Sequence, residues 1–161
     1  MPDARFEDHD PSAGQLRLAL TDPDDVPVIS SLVQDAVGLV GEISWMPKRR
    51  RLTLLLNRFR WEDKDKAAAS GRPFQRVRSA LVLDSALNVR TNGLSPQERD
   101  MVYSVLQVRF EAGEDAAGQV FLDLSGDGTL EIGVECLDGR LMDLSAPWDA
   151  KAGAAPDHPL D

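Results

Sequence analysis

Residues 39–61, LVGEISWMPKRRRLTLLLNRFRW, show most directly how this chain folds. Apolar or small residues recur at every second position in two parts of it, at Leu39, Gly41, Ile43 and Trp45 and then at Leu52, Leu54 and Leu56. A period of two is typical of a β-strand with one buried face. Because residues 47–50, Pro-Lys-Arg-Arg, separate the two sets, the segment predicts a β-hairpin with a basic tip.

The flanking sequence predicts further strands and two helices. Leu16, Leu18 and Leu20 alternate as in a strand, and residues 21–25 then supply a helix cap, an early proline and acidic side chains. Apolar residues at helical spacing extend this helix to about Val37. More strands are predicted at 75–84, 87–90, 102–110, 119–124 and 129–135. The capping-box spacing at Ser95 predicts one helical turn, and Leu137, Leu141 and Leu144 predict a closing helix.

These elements predict an α+β protein with a single domain, residues 15–148. Strands joined mainly by hairpins favour an antiparallel sheet or a partly open barrel, with an N-terminal and a C-terminal helix. This order of elements is similar to that of a pleckstrin-homology barrel with an added N-terminal strand and helix. Residues 1–14 are acidic and 149–161 are rich in Ala, Pro and Asp, so both are predicted to be flexible tails. Residues 62–72 are predicted to be an exposed loop.

Composition places the chain among soluble proteins of a reducing compartment. Its 161 residues fit one domain, and no apolar run is long enough to span a bilayer. The N-terminus lacks a signal-peptide pattern, so we expect a cytoplasmic protein without a membrane span. The lone Cys136 excludes an intrachain disulfide.

Charge is distributed unevenly along the chain. Between Trp45 and Arg78 lie eleven Lys or Arg residues and three acids, a formal charge of +8, while the rest carries −17 and the total is −9. The overall acidity argues against indiscriminate nucleic-acid binding and against reading of a DNA sequence. A local basic face is still compatible with this distribution. The alternative is that these bases pair with acids on neighbouring strands or form a solvated surface.

The basic hairpin and its neighbouring strand are the leading candidates for a binding surface. Residues two apart in a strand point the same way, so the arginines of this window are predicted to converge on one face. Guanidinium groups suit carboxylate or phosphate partners, and Trp45, Phe59 and Trp61 would offer stacking surfaces if exposed. The predicted binding residues are Arg49, Arg50, Arg51, Arg58, Arg60, Arg76 and Arg78.

No catalytic residue, metal ligand or cofactor is predicted. His9 and His158, the two histidines, fall in the predicted tails, where general acid–base geometry cannot be held. Cys136 has no neighbouring base in sequence. Residues 123–134 share part of a calcium-loop pattern, but its twelfth position is Val134 instead of a carboxylate, so a hairpin turn explains them better. Neither phosphate-cradling glycine motif occurs.

Several motifs resemble a bacterial family of uncharacterised proteins, domain of unknown function 2948. The motifs are Val-Gln-Asp-Ala-Val at 33–37, Met-Pro-Lys-Arg-Arg-Arg at 46–51, Leu-Leu-Leu-Asn-Arg-Phe-Arg-Trp-Glu at 54–62, Leu-Gln-Val-Arg-Phe at 106–110, Glu-Cys-Leu at 135–137 and Pro-Trp at 147–148. The resemblance covers residues 16–148 and implies a small soluble bacterial protein. It carries no assigned activity and no catalytic residues.

Three polar residues within these motifs define a candidate pocket: Gln34, Asp35 and Asn57. They are polar residues at positions where the apolar pattern predicts a helix or a strand, and Arg58 directly follows Asn57. The alternative is structural, with Asn57 and Arg58 ending a strand and Gln34 and Asp35 facing solvent on a helix.

The sequence therefore favours a non-enzymatic cytoplasmic binding or adaptor domain that engages an acidic protein partner or RNA through the basic hairpin. A second hypothesis is a small hydrolase or transferase that uses Asp35, Asn57 and Arg58 in a pocket. A third is a structural subunit of an oligomer, which would bury an apolar patch against another copy. The oligomeric state is not predictable from the sequence.

Overall fold

A computed structural model of the protein describes residues 15–150. Within this range the alternating segments form eleven strands, and two short helices lie between them. The elements are β1 (Arg17–Leu20), α1 (Asp25–Val33), β2 (Val37–Leu39), β3 (Ile43–Met46), β4 (Arg51–Phe59), α2 (Lys64–Ser70), β5 (Gln75–Leu83), β6 (Ala86–Asn92), β7 (Val102–Ala112), β8 (Gly118–Leu124), β9 (Gly128–Val134), β10 (Gly139–Asp143) and β11 (Trp148–Asp149).

All strand pairs are antiparallel and belong to one open sheet. The order is β1-β10-β5-β4-β2-β7-β8-β9-β6, with β3 beside the first half of β4 and β11 beside the start of β5. The predicted single-domain, mainly antiparallel sheet is therefore confirmed. Neither helix is long and apolar enough to cross a bilayer within the described part of the chain.

One hydrophobic core joins both halves of the sheet. The leucines that alternate along β4, Leu52, Leu54 and Leu56, are fully buried, and they share this core with Leu122 of β8 and Ile132 of β9. Helix α1 adds its own apolar face, which includes Ile29 and Val33. Burying each such side chain contributes about 1.5–3 kcal/mol, so the period-two pattern fixes which face of β4 points inward.

The predicted basic hairpin is present. Strands β3 and β4 pair from Ile43 opposite Leu54 to Met46 opposite Arg51. A single 3₁₀ turn, Pro47–Arg49, connects them, and Arg50 completes the reversal with a φ of 52°. Pro47 suits the first position of this turn because its φ is already fixed near the helical value.

The closing helix is the main error of the sequence-based prediction. Leu137, Leu141 and Leu144 have helical spacing, but residues 139–143 form β10, which pairs with β1 on one side and β5 on the other. Leu141 and Asp143 point inward because they are two residues apart in a strand. The pleckstrin-homology comparison depended on a closing helix and loses its support.

Two further local predictions are corrected, and a third is refined. Helix α1 ends at Val33, not Val37, because Asp35 takes a positive φ of 65° and the chain then enters β2. The predicted loop at 62–72 contains α2, whose Ala67 is buried and whose end is capped by Gly71. The predicted helical turn at Ser95 is a single hydrogen-bonded turn, in which the Glu98 N–H donates to the Ser95 carbonyl oxygen at 3.1 Å, and it does not continue as a helix.

The folded part reaches slightly beyond the predicted boundary at residue 148. Asp149 belongs to β11, and the following Ala150 is buried. The rest of the two predicted tails, residues 1–14 and 151–161, lies outside the described residues, as do His9 and His158.

Candidate functional site

Two arginines of the hairpin tip are paired with acids. Arg50 forms an ion pair with Glu135, which follows β9. Arg51 Nε lies 2.6 Å from Asp84 Oδ1, and Arg140 Nη1 lies 3.0 Å from Asp84 Oδ2. The hydrogen bond from Arg51 is the main reason why the pKa of Asp84 is lowered. The alternative in which bases and acids pair across the sheet therefore applies to this part of the basic window.

Within residues 15–150, Lys48 and Arg49 are the unpaired cations of the same tip, and both are exposed, as is the paired Arg50. Both belong to the 3₁₀ turn, and neither takes part in an ion pair among the described residues. The free positive charge of the hairpin is thus confined to these two side chains.

Arg58 lies in the interior instead of on a binding surface. Its side chain is 0% exposed, and its Nε and Nη2 each donate to the Asp143 carboxylate at 3.1 Å. Two shorter bonds, of 2.8 and 2.7 Å, join the same guanidinium to Glu62. Burial would lower the pKa of Arg58, but these two carboxylates outweigh it and raise the pKa. Arg58 stays charged and cannot reach an external ligand.

The Asp143 carboxylate is satisfied by groups from three other strands or their flanking residues. It accepts the Ser79 hydroxyl at 2.7 Å and the backbone N–H of Leu16 at 2.9 Å, in addition to Arg58. A buried polar network with all partners present stabilises one arrangement of strands. We therefore assign this cluster to the structure of the sheet.

Arg60 is likewise engaged beside α2. It donates to Gln75 Oε1 at 2.6 Å, and its Nη1 lies 3.5 Å from an oxygen of Asp63. Asp63 also receives a two-point hydrogen bond from Arg72, which lowers the pKa of this carboxyl.

Arg76 and Arg78 lie together on the outer face of the sheet, where they contact Asn57. Arg76 Nη1 donates to the backbone oxygen of Asn57 and Arg78 Nη1 to its side-chain oxygen, both at 3.2 Å. Arg78 also reaches Glu42 at 3.0 Å. Asn57 and Arg78 are cross-strand partners and point away from the core, whereas Arg58 points into it.

The other two predicted pocket residues directly follow the end of α1. The carbonyl oxygen of Gln34 accepts the indole N–H of Trp61 at 2.9 Å, and the backbone N–H of Asp35 donates to Val105. Burial lowers the pKa of Arg76, and the nearby charge of Asp35 opposes this shift. The structure thus brings Asp35 close to Arg76 and Asn57 close to both Arg76 and Arg78, which the sequence treated as separate groups, whereas Gln34 lines a different pocket with Ser30 and Leu106.

The predicted convergence of all the arginines does not occur. Arg51 and Asn57 stand toward opposite ends of β4, and six residues of strand span about 20 Å. The hairpin tip is therefore remote from Arg76 and Arg78, and Arg58 is on the opposite face.

Exposed apolar side chains lie on the same outer face of the sheet as Arg76 and Arg78. Leu39 and Val102 are cross-strand partners and are 36% and 61% exposed, and Trp148, the partner of Arg76, is 41% exposed. Leu144 is 50% exposed and follows the buried Asp143, so it also points outward. We call this surface the arginine face: Leu39, Asn57, Arg76, Arg78, Val102, Leu144 and Trp148.

Sequence reasoning found Asn57, Arg76 and Arg78 but missed the apolar members of the arginine face. Leu39 was assigned to the alternating set of Ile43 and Trp45, although the intervening 3₁₀ turn at Val40–Glu42 breaks that period. Leu144 was assigned to a buried helix face. Alternation along β7 could have revealed one of these apolar residues. Tyr103 is a large aromatic residue that is buried in the core, so its neighbour Val102 points to the outer side of the sheet.

The fold and this surface define an open antiparallel sheet protein with one core-facing helix and a mixed arginine and apolar outer face. Residues 15–150 contain no cluster of three or more His, Cys, Asp or Glu side chains that could hold a metal ion. A family model described as protein of unknown function (DUF2948) matches residues 16–158, so the chain belongs to that family. Comparisons with curated proteins and with solved structures gave no match.

Proposed function

We propose that the protein is a non-enzymatic binding domain that docks an acidic protein partner on the arginine face. The observation that carries this proposal is the combination of Arg76 and Arg78 with exposed Trp148 and Leu144, because Trp148 is the cross-strand partner of Arg76 and the Leu144 N–H donates to the Arg78 carbonyl oxygen. Aromatic, arginine and apolar side chains together are typical of the energetic centres of protein interfaces.

Arg76 is the proposed anchor for an acidic side chain. Burial already removes part of the hydration of its guanidinium group, which lowers the pKa of Arg76. Its hydrogen bond to the Asn57 carbonyl oxygen uses one of five N–H donors, so others are available to a ligand. A carboxylate from a partner would supply two-point bonding to a cation that is partly desolvated before binding.

The exposed apolar residues favour a protein over RNA as the partner. A phosphate backbone is recognised mainly through positive charge, whereas Leu39 and Val102 form an apolar pair that a protein surface would cover. At low ionic strength, Lys48 and Arg49 at the distant hairpin tip would add attraction for an acidic partner, and physiological salt would screen this contribution. The lone Cys136 supports the cytoplasm as the setting.

The alternative of a small hydrolase or transferase receives no comparable support. Arg58 was one of its three proposed groups, and its burial on the other face of β4 separates it from Asn57. Asp35 and Asn57 contribute to the arginine face by shaping the surroundings of Arg76 and Arg78.

Photo-crosslinking from position 144 tests the proposal. A photoreactive residue replaces the exposed Leu144, which adjoins Arg78, in tagged protein in its own cells. The crosslinked peptide is identified and then tested as a purified component. We expect an acidic segment of one other protein, whose binding is lost with Arg76→Glu and weakened by high salt.

Arg90→Glu is the matched control, because Arg90 is an exposed arginine on β6, away from this face. The control variant should keep the crosslink. Crosslinks to RNA, crosslinks to a second copy of this chain, or a partner retained by Arg76→Glu would each contradict docking of an acidic protein.

A further inference from the structure

A second site lies at the gap between two strand edges of the open sheet. Strand β3 pairs with β4, and β6 pairs with β9, so each leaves its other edge without a strand partner among the described residues. The start of β6 is tied to the hairpin through a hydrogen bond from Ala86 to Arg50. Beyond this point a cavity of about 360 Å³ separates the two strands.

The walls of this cavity are mainly apolar. The residues from the two strands and the core beneath them are Val40, Ile43, Trp45, Leu52, Val89 and Leu130. Leu94 and Pro96, from the connection between β6 and β7, also line it. Leu52 and Leu130 are almost fully buried, whereas Ile43, Trp45 and Val89 are only partly covered. Partly covered apolar walls around unfilled space suit the apolar body of a small ligand.

Arg99 places a positive charge at the same cavity. Its Nη2 donates to the carbonyl oxygen of Gly41 at 3.0 Å, and its own carbonyl oxygen accepts the N–H of Gly41. A side chain at position 41 would approach the Arg99 Cβ and carbonyl oxygen to 3.0 Å, so glycine permits this close packing. No ion pair among residues 15–150 involves Arg99.

We propose that this cavity binds a small amphipathic carboxylate. The apolar part of the ligand lies between Ile43, Trp45 and Val89, and the carboxylate accepts hydrogen bonds from Arg99. The Thr91 hydroxyl, which also lines the cavity, supplies a second polar contact. An arginine that is fixed by a backbone contact and has donors left over is suited to a carboxylate at the rim of an apolar site.

The size of the cavity limits the ligand. At about 30 Å³ for each water molecule, the volume corresponds to on the order of a dozen waters. Ligands with a similar number of non-hydrogen atoms fit, which includes medium-chain fatty acids and aryl-substituted short acids. No residue of the arginine face lines this cavity, so binding of a small ligand to the purified protein does not require the proposed protein partner.

Titration with octanoate, followed by amide NMR spectra of the full-length protein, tests this inference. The alcohol 1-octanol provides the uncharged comparison. We expect saturable shifts in residues 43–45, 89–91 and 94–99, and weaker binding of 1-octanol. Arg99→Gln should weaken octanoate about tenfold or more while leaving 1-octanol nearly unchanged, because only the carboxylate uses the guanidinium.

Arg90→Gln is again the matched control, since Arg90 lies between Val89 and Thr91 on β6 and therefore points to the other face of the strand. It should leave octanoate binding unchanged. If Arg99→Gln disturbs folding, Thr91→Val and Val89→Trp provide the second test, the latter by filling the cavity. Equal affinity for octanoate and 1-octanol, shifts outside these residues, or no saturable binding would overturn the assignment.

Discussion

The Arg58 guanidinium and the Asp143 carboxylate form a two-point ion pair inside the sheet, with Nε–Oδ1 and Nη2–Oδ2 distances that are both 3.1 Å. The two residues are 85 positions apart in the sequence. Asp143 is also the cross-strand partner of Ser79, whose hydroxyl binds it. The ion pair thus couples β4, β5 and β10 at one level of the sheet and favours a single register.

Removing the positive member of this pair is expected to destabilise the protein strongly. Arg58→Met leaves the Asp143 carboxylate buried without its cation and should lower the free energy of unfolding by about 3–5 kcal/mol. Urea denaturation measures the change. Arg90→Met, at an exposed arginine, should alter it by less than about 0.5 kcal/mol.

The double variant Arg58→Met/Asp143→Leu checks the mechanism. Replacing both charges removes the uncompensated carboxylate, so the double variant should be more stable than Arg58→Met alone. A double variant that loses as much as the two single changes together would show that the charges do not act as a pair.

Acid is expected to destabilise the protein through its ion-paired aspartates. The pKa values of Asp63, Asp84 and Asp123 are lowered, chiefly by hydrogen bonds from Arg72, Arg51 and Arg109 respectively. A carboxyl whose folded pKa is lowered contributes stability above its unfolded pKa, about 3.9, and loses it as the pH falls toward the folded value. Unfolding measured from neutral pH downward should therefore show falling stability below about pH 4.

Asp84→Asn isolates one of these contributions. The variant should be less stable at neutral pH, and its stability should fall less steeply below about pH 4, because one of the shifted groups has been removed. Parallel curves for the wild type and the variant would show that Asp84 does not contribute to the acid dependence.

Tyr103 should remain protonated in the folded protein well above its ordinary pKa. Burial raises the pKa of its hydroxyl, whose oxygen has no hydrogen-bond partner among the described residues. It is the only tyrosine of the chain, so ultraviolet absorbance of tyrosinate reports this side chain alone. We expect no ionisation near pH 10 until the protein unfolds, and ionisation of the native protein at about that pH would be inconsistent with burial.

Tyr103→Phe is expected to raise the free energy of unfolding by about 1 kcal/mol, because it removes an unpaired buried hydroxyl without leaving a large cavity. Gly38→Ala should have the opposite effect. A Cβ at position 38 would lie 2.5 Å from the Tyr103 hydroxyl oxygen, 2.7 Å from its Cζ and 3.1 Å from the carbonyl oxygen of Leu55. The double variant removes the first of these contacts and keeps the other two, because phenylalanine retains Cζ. Thermal unfolding should therefore show a smaller loss for Gly38→Ala when it is combined with Tyr103→Phe than when it is made in the wild type.

Charge reversal at the hairpin tip should show which of its arginines stabilise the fold through an ion pair and which are only solvated. Arg51→Glu breaks the contact with Asp84 and places two acids together, so the melting temperature should fall. Arg49→Glu should leave it nearly unchanged, because Arg49 is exposed and has no ion pair among the described residues. Equal losses in the two variants would indicate that Arg49 has a structural partner in solution.

Local periodicity was sufficient to predict most of the sheet. Alternation along β4 determines that Leu52, Leu54 and Leu56 face the core, because only one face of this strand is apolar enough to bury. The same reasoning located β5 and β7–β9 within a few residues. It also predicted that Gln34, Asp35 and Asn57 were unusual, since polar residues there interrupt the apolar pattern.

Where a local pattern was compatible with both a helix and a strand, the tertiary structure decided between them. Leu137, Leu141 and Leu144 fit a helix, but the backbone of β10 forms ladders with β1 and β5, and its Asp143 meets Arg58 only when those strands are adjacent. Hydrogen bonds between residues far apart in sequence therefore overrode the local spacing.

The charge pattern in the sequence determined that the region from Trp45 to Arg78 is basic, because charge depends only on residue type. It did not determine where that charge acts. Pairing of β2, β4 and β5 placed Asn57, Arg76 and Arg78 on one outer face. Acids from distant parts of the sequence neutralise three other arginines, in the pairs Arg50–Glu135, Arg51–Asp84 and Arg58–Asp143. Salt screens exposed charges beyond about 8–10 Å, so which charges stay available depends on distances that exist only in the folded chain.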